Sequence, residues 1–121
     1  MKRPASYVAK LIRSIEVRGS SMAPSFNEGD WLLFYSGPGQ RRGRSLTGKV
    51  VLIVRNPELL IVKRVLRCTT EKAEANKSNK YWVEGDNKSA STDSRNWGEI
   101  SDEEIVGVLI IRYRRGAKNK N

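Results

Sequence analysis

Histidine is missing from all 121 residues. That absence excludes every catalytic arrangement in which an imidazole takes the proton, whether Ser-His-Asp or Cys-His. A single cysteine, Cys68, leaves no partner for an internal disulfide and fits a reducing compartment. With one cysteine and no histidine, a zinc site lacks its usual ligands. No metal or other cofactor is expected. Long apolar runs are scarce as well. Leu59–Val62 and Val108–Ile111 have the length of strands, not of membrane spans. The N-terminal stretch is basic but lacks the apolar centre of a secretory signal. An enzyme with this composition must draw its general base from a carboxylate, a lysine or a cofactor.

What the chain has in excess is positive charge: 23 Lys and Arg against 13 Asp and Glu, a net +10. The basic residues are spread along the chain, with clusters at Arg41, Arg42 and Arg44 and at Arg112, Arg114, Arg115, Lys118 and Lys120. No aromatic-interleaved RNA-binding pattern or helix-turn-helix accompanies them. Charge alone therefore names no partner, and no specific nucleic acid is expected.

The length suits one domain with a real hydrophobic core. Val8, Leu11, Ile12 and Ile15 recur at helical spacing, which predicts a short amphipathic helix over Ala5–Ser14. Such a helix either docks on the domain or touches an anionic membrane surface. The rest reads as mostly β. The expected strands are Ile15–Arg18, Trp31–Tyr35, Lys49–Arg55, Leu59–Leu66, Tyr81–Glu84 and Ile105–Tyr113. Asn56-Pro57-Glu58 reads as a turn, and Gly37–Gly43 as a polar glycine-rich loop. Thr69–Lys80 reads as a surface loop because it is polar throughout. The basic end from residue 114 to 121 reads as a flexible tail.

Three segments carry residues suited to chemistry. Arg18-Gly19-Ser20-Ser21-Met22-Ala23-Pro24 follows an expected strand; glycine allows a sharp turn and proline ends regular pairing. Taken alone it is a weak signal and reads first as an ordinary turn. In Leu59–Leu66, alternation places Ile61, Lys63 and Val65 on one face and Val62, Arg64 and Leu66 on the other. If the Lys63 face packs inward, burial lowers the lysine pKa and makes it a candidate base; otherwise Lys63 snorkels to water. Gly85–Gly98 is dense in short polar side chains and reads as a structured loop, in which a hydroxyl could orient a lysine amine.

In this order the three segments resemble the signal peptidase I family of serine–lysine proteases, from about Glu16 to Tyr113. Gly19–Pro24 followed by Gly29-Asp30 is similar to the nucleophile box, Val62–Val65 to the lysine box, and Gly85-Asp86-Asn87 through Arg95 to the last box. The resemblance implies Ser21 as nucleophile and Lys63 as general base. It implies Ser91 as the hydroxyl that orients the lysine, with Asp86, Asn87, Asp93 and Arg95 as structural support. Backbone amides near Gly19 and Ser20 would serve the oxyanion, since some members carry a serine where Gly19 stands. Met22 and Pro24 would wall the substrate site. The implied fold is a mostly-β, signal-peptidase-like core of coiled antiparallel sheets with a short N-terminal helix. The implied layout is a helix at 1–14, a catalytic domain at 15–113 and a basic tail at 114–121.

The short spacing between lysine box and last box, and the run Ala90-Ser91-Thr92-Asp93-Ser94-Arg95, resemble the subgroup that matures nickel-type superoxide dismutase. That implies a cytoplasmic endopeptidase whose partner is a dismutase precursor with a short N-terminal extension. Two alternatives remain: a membrane-surface signal peptidase for exported proteins, and a self-cleaving serine–lysine protein of the LexA type.

Overall fold

The computed structural model describes residues 11–56, 59–73 and 76–116. Among the described residues there are seven strands: β1 (Ile12–Glu16), β2 (Trp31–Tyr35), β3 (Val50–Asn56), β4 (Leu59–Ala73), β5 (Asn76–Glu84), β6 (Ile100–Ser101) and β7 (Ile105–Arg114). They form one antiparallel sheet in the order β1-β2-β7-β3-β4-β5-β6. The mostly-β expectation is met, by a single sheet.

The central strand explains the architecture. Val50 to Ile53 are all buried, an uninterrupted apolar run. Val50 and Leu52 pack with Val17, Met22, Leu32 and Phe34, whereas Val51 and Ile53 pack with Val65, Tyr81, Val83, Ile100 and Ile105. Both faces of β3 are covered, so the strand shows no polar alternation. The sheet thus carries one core on each face, with β1 and β2 serving one and β4 to β6 the other.

Several expectations need correction. The helix expected over Ala5–Ser14 lies for the most part outside the described residues, but Ile12–Ser14 belong to β1, paired with β2. The edge of a sheet satisfies their backbone groups, and helical spacing gave no warning of it. Thr69–Lys80, expected as a surface loop, continues β4 and β5 as a paired hairpin with register Thr69↔Lys80 through Ala73↔Asn76. Antiparallel pairing satisfies backbone groups without a core. Thr70 and Asn79 share a side-chain hydrogen bond of 2.8 Å across it, and Arg67 lies over the Trp82 ring at 4.4 Å. The two-residue strand β6 was too short to show a period. At the other end, Arg114 closes β7 and Gly116 is buried, so the chain is anchored to at least Gly116. The turn expected at 56–58 falls largely on residues not described.

Candidate active site

Ser21 sits on a loop that two backbone bonds close at its base: Val17 N–H to the Asp30 carbonyl at 2.8 Å and Gly29 N–H to the Val17 carbonyl at 2.9 Å. Within the loop Ala23 N–H reaches the Ser20 carbonyl at 3.1 Å and Phe26 N–H the Met22 carbonyl at 2.9 Å. Gly19 adopts φ +75°, a left-handed turn that suits glycine. Met22 is buried and plugs the loop into the core beside Val17 and Phe34. Asp30, also buried, accepts from Asn27 N–H at 2.9 Å and Gly116 N–H at 2.8 Å. Arg112 donates to the Ser25 carbonyl at 2.9 Å. The Ser21 loop is therefore tied down from behind by the end of β7.

Lys63 lies on β4 opposite Val51 of β3. Its face of the strand is the inward one: Lys63 is 5% exposed and Val65 fully buried, while Leu66 on the other face is exposed. Burial holds the Lys63 pKa below the ordinary lysine value; the nearby Asp93 carboxylate opposes this, and the Arg95 charge adds to the lowering. The ammonium nitrogen donates to Ser91 Oγ at 3.1 Å.

The third segment is built around one carboxylate. Asp93 is fully buried and caps a one-turn helix, α1 (Ser94–Trp97), with Asn96 closing a capping box. Its Oδ2 accepts from Ser91 Oγ at 2.5 Å and from Gly85 N–H at 2.9 Å. Arg95 adds bonds from Nε at 2.9 Å and Nη2 at 3.1 Å. Burial alone would push Asp93 up, but the bonds from Arg95, Ser91 and the backbone outweigh it and hold the carboxyl well below the usual range. Donation thus runs from Lys63 through Ser91 to Asp93, which Arg95 meets from the other side as a further donor.

Main-chain contacts join the two halves. Asn87 N–H donates to the Ser21 carbonyl at 2.9 Å, and its side-chain amide to the Ser20 carbonyl at 3.0 Å. Asp86 is held by Arg64 in a two-pronged pair of 2.9 and 2.8 Å, which lowers the Asp86 pKa. Gly85 lies where these pieces meet. A Cβ there would stand 2.3 Å from Ser91 Oγ and 2.5 Å from the Ser21 carbonyl oxygen.

Ser21 and Lys63 line one cavity of about 270 Å³, with Ile15, Val17, Met22 and Val62 among its other walls. Of the residues named from sequence, Gly19, Ser20, Met22, Asn87, Ser91, Asp93 and Arg95 gather around this cavity or brace it. Pro24 is exposed and is not among the cavity's lining residues; its carbonyl accepts from Asn27 at 3.3 Å. Sequence reasoning missed Gly85 as a packing requirement, although it stood beside Asp86. It also missed the role of Arg64, whose partner Asp86 is remote in sequence, and the Asp30–Gly116 contact, for which the sequence holds no signal. Among the described residues, no group of three or more His, Cys, Asp and Glu side chains is placed to hold a metal.

The family described as signal peptidase, peptidase S26, matches residues 67–114. The match takes in the loop with Ser91, Asp93 and Arg95 and stops short of Ser21 and Lys63. Over 118 aligned positions the chain is 29% identical to mitochondrial ATP-independent inner membrane protease subunit 1a of Arabidopsis thaliana, spanning 84% of this chain and 70% of that protein. Residues 67–114 of this mostly-β chain are thus similar to the signal peptidase S26 family, and the chain is distantly similar to an inner membrane protease subunit.

Proposed function

We propose that the protein is a serine endopeptidase in which Ser21 attacks and Lys63 is the general base. One observation carries the reading: a buried lysine of lowered pKa, hydrogen-bonded to Ser91, lines the same cavity as a turn serine. Neutral Lys63 takes the Ser21 hydroxyl proton as the oxygen attacks the scissile carbonyl. The Ser21 backbone N–H, on the turn after Gly19, receives the oxyanion. Protonated Lys63 then gives its proton to the leaving amine as the C–N bond breaks. Lys63, neutral again, deprotonates the water that releases the acyl group. Ser91 keeps the amine in line, and the Asp93–Arg95 pair keeps Ser91 in place.

The substrate is an extended segment laid along β4. Among the described residues, Leu59–Lys63 pair with β3 on one side only, and β5 joins the other side from Arg64 onward. That leaves a stretch of edge beside the cavity, suited to strand addition.

The proposed substrate class is a precursor protein that loses a short N-terminal extension. The Ala90–Arg95 run and the short path from Lys63 to this loop favour a cytoplasmic nickel-type superoxide dismutase precursor. A second reading, processing of exported proteins at a membrane surface, is favoured by the likeness to an inner membrane protease subunit. No helix among the described residues is long and apolar enough to cross a membrane.

The test is co-expression with the dismutase precursor and, separately, with an exported precursor, followed by mass spectrometry of the new N-terminus. Ser21→Ala and Lys63→Met are each expected to slow cleavage by roughly 10⁴-fold or more, since paired catalytic groups act as a unit. Wild-type rates in either variant would sink the mechanism. Cleavage of only the exported precursor would move the substrate to the second reading.

A further inference from the structure

Successive side chains of β4 do not share surroundings. Ile61 packs against the core that holds Val51, Val65 and Tyr81, whereas Val62 packs against the core that holds Met22, Leu32 and Leu52. The edge of β4 therefore runs between two cavities. One is the Ser21 cavity, of about 270 Å³. The other, about 400 Å³, is lined by Arg55, Leu59, Ile61, Lys63, Thr92 and Trp97. Ser21 and Val62 line only the first and Arg55, Thr92 and Trp97 only the second, while Leu59, Ile61 and Lys63 border both.

The walls of the second cavity are well fixed. Trp97 ends the short helix α1, which begins at the Asp93 cap. Its ring is partly buried against the core cluster around Val51 and Ile53. The Arg55 guanidinium lies over the ring at 4.5 Å and is neutralised by Glu104 at 2.5 Å. Leu59, Ile61, Trp97 and Thr92 border the space. Of its two cations, Arg55 is paired with Glu104, and Lys63, shared with the Ser21 cavity, is hydrogen-bonded to Ser91.

An extended peptide alternates its side chains between opposite faces. Placed along the free edge of β4, it must deliver neighbouring residues to different cavities. We propose that the cavity under Trp97 is a second specificity pocket. It selects a bulky apolar or aromatic side chain at the substrate position adjacent to the one held in the smaller Ser21 cavity. This rests on the endopeptidase reading above. Trp97 and Thr92 are its specificity residues. They read the residue next door, while Ser91 and Asp93 in the same loop position the lysine.

The test is a positional-scanning set of internally quenched peptides built on the mapped cleavage site. The readout is the ratio of kcat/KM for a Leu or Phe peptide over the Ala peptide at each position. In the wild type the ratio should exceed one at an adjacent position and fall below one at the Ser21-cavity position. Trp97→Ala should lower the adjacent-position ratio about ten-fold, the scale expected for losing apolar contact with a side chain. Trp97→Phe should restore most of it. Thr92→Trp, at an exposed site that tolerates change, should fill the pocket and reverse the ratio, which keeps the test valid if Trp97→Ala fails to fold. Ser21-dependent cleavage with unaltered ratios in Trp97→Ala and Thr92→Trp overturns the pocket alone. A shift confined to the Ser21-cavity position does the same. Cleavage that persists in Ser21→Ala, or none in the wild type, overturns the endopeptidase reading and the pocket with it.

Discussion

The two halves of the candidate site are built from different materials. Around Ser21 the contacts run mostly through the main chain, by the carbonyls of Val17, Ser20 and Ser21 and the amides of Gly29, Ala23 and Asn87, with the Asn87, Asp30 and Arg112 side chains bracing the loop. Around Lys63 they are side chains: Ser91, Asp93 and Arg95, ordered about one buried carboxylate. A nucleophile needs only a fixed position, and a turn pinned at several points supplies it. A lysine base needs position and a tuned charge state, and only neighbouring side chains adjust the second. Gly85 is the hinge between the two: its amide donates to Ser91 Oγ at 3.1 Å, and a Cβ there would stand 2.5 Å from the Ser21 carbonyl oxygen.

Breaking the lysine half should cost most. Asp93→Ala leaves the Arg95 guanidinium, the Ser91 hydroxyl and the Gly85 amide without their acceptor. A loss of about 2 kcal/mol is expected in urea unfolding, the scale for leaving buried donors without their acceptor. Arg95, being partly exposed, regains some solvation and keeps the loss from being larger. Retention of wild-type stability would show that water replaces the carboxylate.

Striking the hinge should leave the fold and damage the chemistry. Gly85→Ala forces Ser91 and the Ser21 carbonyl apart, and a displacement of about 1 Å typically lowers rate about 10²-fold. The expected signature is a fall in kcat with KM less affected. Equal activity in this variant would mean that the two halves need not be held in register.

The nucleophile half should respond more mildly. Asn87→Ala removes one side-chain bond to the Ser20 carbonyl and keeps the backbone bond to Ser21. A single such bond is worth about 1 kcal/mol, so a rate reduction of roughly five- to ten-fold is expected. A loss as large as that of Gly85→Ala would place the turn's rigidity in this one amide.

The smallest effect is the dependence on pH. Because the Lys63 pKa lies below its unfolded value, the unfolded chain binds the proton more readily than the folded one. Stability should then rise with pH from the folded pKa up to the unfolded pKa near 10.5. In Lys63→Met that rise should disappear, and the variant should be more stable than wild type at neutral pH. Activity of the wild type should climb through the same lowered pKa, since only the neutral amine accepts the Ser21 proton. A flat pH–rate profile from pH 6 to 10, checked with a peptide substrate, would contradict a lysine base.

Much of the site was legible in the chain. The missing histidine left lysine as the leading base for a serine enzyme, and alternation in β4 narrowed the burial of Lys63 to one of two faces. Strand β2 emerged with the bounds its pattern predicts, and β3 and β7 within a residue of theirs. The hairpin beyond Thr69 did not emerge, because pairing between polar strands depends on register rather than on a hydrophobic period. Arg64 was obscured for a similar reason: its partner Asp86 lies 22 residues away, and nothing local joins them.

By itself the sequence determined which residue types are available for chemistry, where apolar strands must run and which glycines permit sharp turns. These are local properties, set by side-chain character and backbone freedom. Tertiary structure alone decided that Lys63 faces inward, that Ser91 stands between it and Asp93, and that Gly85 must lack a Cβ. It also decided that β4 borders two cavities. Each of these rests on contacts between segments far apart in the chain, created when the sheet brings β4 beside the Ser21 turn and the Gly85–Gly98 loop.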